Sequence, residues 1–167
     1  MVKLFNTMAV EDLFFEQPEK IFKARELARL AKISHPTALK ALDALVKADL
    51  VEKVEFGYKA KTSEPFKRAK KLRTIQRLYG LGLVDFLKDK CTPNAMILFG
   101  SASRGEDTEN SDIDLFLEAP EHEVSLKSFE GKLKRKINLT FGKMDRLNKT
   151  FLNNLANGFV LDGGIKL

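Results

Sequence analysis

Cysteine, histidine and tryptophan are scarce in this sequence, and their scarcity excludes several kinds of site. The 167 residues include one cysteine, Cys91, two histidines and no tryptophan. A single cysteine excludes an internal disulfide, and two distant histidines provide neither zinc-ligand spacing nor a Ser/His/Asp order. With 44% hydrophobic residues, the chain is long enough to form a packed core, in one medium domain or two small ones.

Long apolar runs are also absent. No run approaches the length of about 20 residues that spans a bilayer, and the first residues show no signal-peptide pattern. We therefore expect no membrane association and a cytoplasmic location.

Acidic residues are scarce in one region of the chain. Between Lys59 and Arg77 there are eight basic residues and one acidic residue, Glu64, whereas the whole chain has a net charge of +6. A basic run of this kind is usually a solvated face, but it also fits contact with nucleic-acid phosphates.

The segment FGSASRGEDTENSDIDLFLE, residues 99–118, contains the pattern that is richest in chemistry. The apolar run 95–99 predicts a buried strand, and Gly100-Ser101 then permits a tight turn that can hold an anion. Asp112 and Asp114 share one face of the next predicted strand, because strand residues alternate. Such a pair repels itself unless a cation such as Mg²⁺ binds. This segment has two halves, the Gly100-Ser101 turn and the aspartate pair. Taken singly, the first half fits a plain turn and the second fits a solvated strand face.

Together, the two halves resemble the signature of the DNA polymerase beta-like nucleotidyltransferase superfamily, specifically its minimal nucleotidyltransferases. The residues that carry the resemblance are Gly100-Ser101, Arg104-Gly105-Glu106 and Ser111-Asp112-Ile113-Asp114. It extends over residues 80 to 167, because Asn157-Gly158-Phe159-Val160-Leu161 resembles the ending of small members. It implies an α+β domain with a mixed sheet and flanking helices.

The resemblance also implies a division of roles in the site. Gly100, Ser101 and Arg104 would bind the nucleotide, and Asp112 and Asp114 would bind metal. In the family, two Mg²⁺ ions held by three carboxylates bind the nucleoside triphosphate, activate an acceptor hydroxyl and neutralise the leaving pyrophosphate. ATP is the triphosphate we expect.

One position departs from the family pattern. Residues 136–141 align with the strand that carries the third carboxylate, and Asn138 stands in its place. An amide oxygen can ligate a metal, but it cannot take a proton from a hydroxyl. We therefore assign Asp112, Asp114 and Asn138 as the catalytic positions and expect weakened or abolished turnover. Asp145 is not accepted as a replacement, because it fits a helix N-cap.

The N-terminal part shows a helix, a turn, a second helix and a hairpin. A first helix is predicted over 24–31 with Leu30 inward, and Ser34 is a suitable N-cap for the second. A hairpin is predicted over 51–62. This order resembles the winged helix-turn-helix of transcriptional regulators over residues 5 to 62. The resemblance implies that the second helix enters the major groove of double-stranded DNA, with the hairpin as the wing.

Six polar residues are predicted to contact DNA: Ser34, His35, Thr37, Lys40, Lys59 and Lys61. Leu39 and Ala41 occupy positions where regulators often carry polar base-reading residues, so phosphate contacts should dominate the affinity. The alternative interpretation is a small helical domain that docks only protein.

The predicted architecture is α+β, with a winged helix-turn-helix domain at 1–63, a helical connector at 64–90 and a minimal nucleotidyltransferase domain at 91–167. The predicted function is nucleoside monophosphate transfer from a triphosphate to an acceptor hydroxyl, coupled to DNA binding. Small family members often act as antitoxins that modify a helical nuclease toxin, so the resemblance implies such a partner.

Two alternatives stay open. One is a DNA-binding regulator whose C-terminal domain binds nucleotide or protein without catalysis, and the other is a structural adaptor with an idle aspartate pair. The acceptor and the oligomeric state are open as well.

Overall fold

A computed structural model of the chain describes residues 2–165. The chain forms two compact units, 1–70 and 71–167. Their boundary lies inside a helix, Glu64–Gly80, within the span predicted as a connector. Residue 1 and residues 166–167, which end the predicted domains, lie outside the described residues.

The first unit contains three helices followed by a two-stranded antiparallel hairpin. These are α1 (Val2–Glu16), α2 (Ala24–Leu30), α3 (His35–Lys47), β1 (Val51–Val54) and β2 (Gly57–Ala60). The Ser34 hydroxyl accepts a hydrogen bond from the Thr37 backbone N–H at 3.3 Å, which confirms Ser34 as the N-cap of α3. The predicted helices and hairpin are therefore present in this unit.

The core of the first unit lies between its helices and the hairpin. Leu27, Leu42 and Leu45 are buried, and Phe14 packs edge-to-face on Phe22 with ring centroids 5.3 Å apart. The inward prediction for Leu30 is wrong: this side chain is 41% exposed. The buried face of α2 is formed by Leu27 and Ala28. Leu30 is roughly 160° around the helix from Ala28, so it falls outside this face.

The second unit is an α+β structure built on one four-stranded sheet. After α4 (Glu64–Gly80), its elements are α5 (Leu83–Cys91), β3 (Ala95–Phe99), β4 (Ile113–Leu117), α6 (Lys127–Leu133), β5 (Ile137–Phe141), α7 (Lys149–Ala156) and β6 (Phe159–Gly163). The strand order is β5-β4-β3-β6, with β4 and β5 parallel and the other pairs antiparallel. The predicted mixed sheet with flanking helices is thus confirmed.

Both faces of this sheet are covered. Met96 and Leu98 belong to a core shared with α5, whereas Ile97 and Phe116 pack with Leu155 of α7 on the opposite face. Because β3 is buried on both faces, its sequence is a continuous apolar run rather than an alternating one.

One helix start differs from the prediction. Asp145 lies within a single 3₁₀ turn, Met144–Arg146, and is not an N-cap. Asn148 caps α7 instead, since its side-chain oxygen accepts from the Phe151 N–H at 2.8 Å. The short turn displaces the true helix start by several residues.

Candidate functional site

The predicted carboxylates lie at the start of β4, where three strands come together. Strand register places Asp114 opposite Phe99 of β3 on one side and Asn138 of β5 on the other. Asp112 directly precedes β4 and shares a face with Asp114 because strand side chains alternate. The sheet therefore brings the three predicted catalytic positions to one place.

A single amide group joins the two carboxylates. Asn138 Nδ2 donates to Asp112 Oδ2 and to Asp114 Oδ1, each at 3.1 Å, so the two oxygens lie within twice that distance of each other. The amide hydrogens offset part of the repulsion between the carboxylates, which is the role a bound cation would otherwise have. Neither carboxylate has an ion-pair partner within residues 2–165.

The predicted phosphate-binding turn passes directly beside Asp114. Gly100 has a φ of +72°, and a Cβ atom at this position would overlap Asp114 Oδ2. The positive φ favours glycine, because other residues rarely adopt this conformation, and any Cβ atom here would displace the Asp114 carboxylate. The Gly-Ser turn and the carboxylate pair are therefore parts of one site.

Hydrogen bonds within the turn hold its shape. The buried Ser103 donates from Oγ to the Gly100 carbonyl at 2.8 Å, and the Glu106 N–H donates to the Ser101 carbonyl at 3.0 Å. Arg104 is half-exposed and donates from Nε to Glu106 Oε2 at 2.8 Å. A nucleotide phosphate would therefore compete with Glu106 for Arg104.

Two side chains that the sequence analysis did not single out support the loop between the turn and β4. Arg135 donates from Nη1 to Asp107 Oδ2 at 2.6 Å, and the two side chains are 12% and 3% exposed. It also donates to the backbone carbonyls of Ser111 and Asp112. The one feature of the sequence that could have indicated the role of Arg135 is that it is the single arginine among lysines in Lys-Leu-Lys-Arg-Lys at 132–136.

The donor set at this site fits one hard cation better than two. Two carboxylates suit Mg²⁺, which keeps several waters and usually binds substrate phosphates as well. No group of three His, Cys, Asp or Glu side chains that could hold a metal occurs in the described part of the chain. If the Asn138 amide rotated, its oxygen would become a third, neutral ligand. The three-carboxylate cage of a two-metal centre is not formed.

A cavity lies beyond the C-terminal ends of β4 and β5, whereas the carboxylate site lies at the start of β4. The cavity has a volume of about 330 Å³ and is lined by residues within 119–121 and 141–147. It contains none of the predicted site residues, so its size does not identify the carboxylate site.

The four residues predicted to contact DNA from α3 are in two different situations. Ser34 and Thr37 bond each other through their hydroxyls at 2.8 Å as part of the helix cap. His35 and Lys40 are exposed. Ser34 is exposed as well, but its hydroxyl and that of Thr37 already have a partner in the cap, whereas His35 in the first turn and Lys40 in the second turn face solvent.

Both lysines predicted to contact DNA from the hairpin region are already paired with carboxylates. Lys59 contacts Glu19 at 2.8 Å, and Lys61 contacts Asp49 at 2.5 Å. Hydrogen bonding and attraction to these carboxylates raise the pKa of each lysine above its ordinary value. Both remain charged at neutral pH, but each would have to change partners to reach a phosphate.

Comparison with known proteins shows that part of the chain is similar to a described protein family. Residues 82–152 match the family model described as a nucleotidyltransferase domain. The match covers less than half of the chain and includes every residue predicted for the nucleotide and metal site. It supports the nucleotidyltransferase part of the prediction and does not extend to the first unit. No curated protein matches the chain.

No helix among residues 2–165 has the length and apolar character needed to cross a membrane.

Proposed function

We propose that this protein transfers a nucleoside monophosphate from a nucleoside triphosphate to an acceptor hydroxyl at the site formed by Asp112 and Asp114. The observation that carries the proposal is the meeting of these carboxylates with the Gly100 turn, inside a segment similar to the nucleotidyltransferase domain family. Two carboxylates that have no ion-pair partner among the described residues, beside a glycine turn, are suited to a metal-bound polyphosphate.

Different groups of the chain would hold the phosphates and the metal. The Ser101 hydroxyl and the backbone of the turn would donate to phosphate oxygens, and Arg104 would leave Glu106 for a phosphate. Asp112 and Asp114 would hold Mg²⁺. When bound, Mg²⁺ would neutralise the charge that develops on the phosphates during transfer.

Asn138 limits what the site can do. Its amide has no basic group for removing a proton from the acceptor hydroxyl. In its present orientation, the amide nitrogen points at both carboxylates, so a cation must rotate or displace it before binding between them. We expect weak metal affinity and slow transfer compared with a site that has three carboxylates.

The same amide bridge favours a second candidate function. If the bridge persists when nucleotide binds, this unit would bind a triphosphate or a partner protein without catalysis. A helical toxin-like protein is the partner, and the acceptor, that the family resemblance implies. Nucleotide binding without transfer would identify this binding role.

For the first unit we propose binding to double-stranded DNA as a winged helix-turn-helix. The supporting observation is the pairing of Phe22 with Tyr58, through N–H to carbonyl bonds of 2.8 and 2.9 Å, which adds a third extended segment to the hairpin. His35 and Lys40 are exposed in the first two turns of α3, the helix that in such domains contacts DNA. The tip residue Phe56 is 68% exposed, so the hairpin tip also offers an apolar contact.

The transfer proposal is tested by incubating the full chain with Mg²⁺ and ATP labelled at the α-phosphate. Acceptors would be the protein itself, oligonucleotides and proteins from its genomic neighbourhood. We expect label transfer that Asp114→Asn abolishes and Asp145→Asn preserves, since Asp145 is exposed and lies in a turn outside the site. Label transfer that survives Asp114→Asn would contradict the proposal.

A further inference from the structure

The two carboxylates are held in place by different means. Asp114 lies within β4 and is paired in register with β3 and with β5. Asp112 lies outside the strand, where the paired register of β4 and β5 begins one residue later, at Ile113 and Ile137. The Asp112 carboxylate is bonded by the Asn138 amide, but its backbone lacks strand pairing and needs another support if the carboxylate is to keep its position relative to Asp114.

The side chain of Arg135 provides that support. Its Nε donates to the Ser111 carbonyl at 2.6 Å and its Nη2 donates to the Asp112 carbonyl at 2.9 Å. These two carbonyls belong to the residues that lead into β4. The guanidinium therefore joins the residues before β4 to the segment before β5. This contact lies beyond Ile113 and Ile137, the first backbone pair of the two strands.

Asp107 keeps the guanidinium in this position. Arg135 is 12% exposed and Asp107 3% exposed, and Nη1 donates to Asp107 Oδ2 at 2.6 Å. A charge this far from water requires a charged or polar partner for each donor. Only arginine offers several donors in one rigid plane, so a lysine could keep the charge but not all three bonds.

We propose that Arg135 is a positioning residue that fixes Asp112 relative to Asp114 for binding of a metal-bound triphosphate, an inference that rests on the proposed function. Arg135 donates to neither carboxylate of the pair; it acts on the Asp112 backbone. Loss of groups that orient metal ligands typically lowers metal affinity by about 10- to 100-fold.

The test compares Arg135→Lys with Asp107→Asn in the full chain. Arg135→Lys keeps the charge but loses the simultaneous bonds to the two carbonyls. Asp107→Asn removes the negative charge but leaves the arginine donors that hold those carbonyls. Lys132→Arg, an exposed position on α6 in the same basic segment, is the matched control for a lysine-arginine exchange.

Two readouts are needed: amide hydrogen exchange over residues 107–113, and the dissociation constant of ATP at one fixed Mg²⁺ concentration below saturation. For Arg135→Lys we expect faster exchange confined to 107–113 and an ATP dissociation constant raised about 10- to 100-fold. Asp107→Asn should raise the ATP dissociation constant several-fold less than Arg135→Lys does. Lys132→Arg should leave both readouts at the wild-type values.

Three results are decisive. Unchanged exchange in Arg135→Lys, or faster exchange with unchanged ATP affinity, would overturn the positioning role. Equal losses of ATP affinity in Arg135→Lys and Asp107→Asn, matched by equal losses of melting temperature, would also overturn it, because the effect would then be general stability. If the wild-type protein binds no ATP, the proposed function fails, and exchange over 107–113 alone decides whether Arg135 holds Asp112.

Discussion

The two units use their polar side chains in different ways. In the unit 71–167, Asp112 and Asp114 face one amide and have no cationic partner among the described residues. In the unit 1–70, Lys59 and Lys61 are each engaged with a carboxylate of that unit. Uncompensated like charges at one place are unfavourable for folding alone, so such a cluster indicates ligand binding more strongly than a set of paired surface lysines does.

The largest change is expected from Asn138→Asp, which would supply the third carboxylate. General-base catalysis typically contributes about 10²- to 10⁴-fold, so we expect the transfer rate to rise within that range. Without metal, the added charge should lower the melting temperature through repulsion with Asp112 and Asp114, and Mg²⁺ should reverse the loss. The measurements are label transfer and thermal melts with and without Mg²⁺.

An Asn138→Asp variant that is no faster than the wild type would show that another group, or a substrate-bound water, removes the proton. Asp145→Asn, at an exposed acidic residue outside the site, serves as the control for an unrelated change of charge.

A second prediction concerns the contact between the turn and Asp114. Gly100→Ala places a methyl group where Asp114 Oδ2 lies, in a backbone conformation with φ of +72°. We expect a loss of about 1–2 kcal/mol in the free energy of unfolding from the backbone alone, and loss of most ATP affinity. Chemical denaturation and ATP titration measure the two effects.

Gly142→Ala is the matched control for that substitution. Its Cβ would meet Leu147 and Phe116 at 3.5 and 3.6 Å, which is ordinary contact. If Gly142→Ala and Gly100→Ala weaken ATP binding equally, the turn has no special relation to the site.

A third prediction concerns the first unit and DNA. Replacing Lys59 and Lys61 with glutamine should flatten the dependence of log affinity on log salt by up to about 0.9 per lost phosphate contact. Glu19→Gln should strengthen binding, because it releases Lys59 from its carboxylate partner. Titration of a fluorescent duplex at several salt concentrations measures both effects. Absence of binding to any duplex at low salt would favour a unit that docks only protein.

The smallest effect is expected at Cys91, whose labelling reports on the second unit alone. The thiol is 1% exposed, and burial raises its pKa, so the reactive thiolate is scarce and shielded at neutral pH. We expect alkylation of the folded protein to be far slower than that of the denatured protein. Fast alkylation before the main unfolding transition would show that this unit opens independently.

The sequence predicted the meeting of the turn and the carboxylates because the spacing within short elements leaves few alternatives. Asp112 and Asp114 are two residues apart, and a strand must place them on one face. The position of Asn138 followed from the resemblance, because residues 136–141 align with the family strand that carries the third carboxylate. The parallel register of β4 and β5 then places Asn138 opposite Asp114.

Other features depend on contacts that no local pattern encodes. Arg135 turns inward just after α6, which ends at Leu133 and whose C-cap Lys134 adopts a φ of 55°. The lysines Lys132, Lys134 and Lys136 stay exposed. The partner Asp107 lies 28 residues earlier in the chain. Likewise, the pairing of Lys59 with Glu19 joins residues 40 positions apart, so a count of basic residues could not show that this lysine is already engaged.

The most direct test of the central claim is ATP binding as a function of Mg²⁺ concentration. The wild-type chain and Asp145→Asn should bind ATP more tightly as Mg²⁺ increases, whereas the double variant Asp112→Asn with Asp114→Asn should show no such dependence. That double variant retains side chains of the same size, so the loss would report the charges. An unchanged response to Mg²⁺ in the double variant would contradict the assignment of these two carboxylates as the metal-nucleotide site.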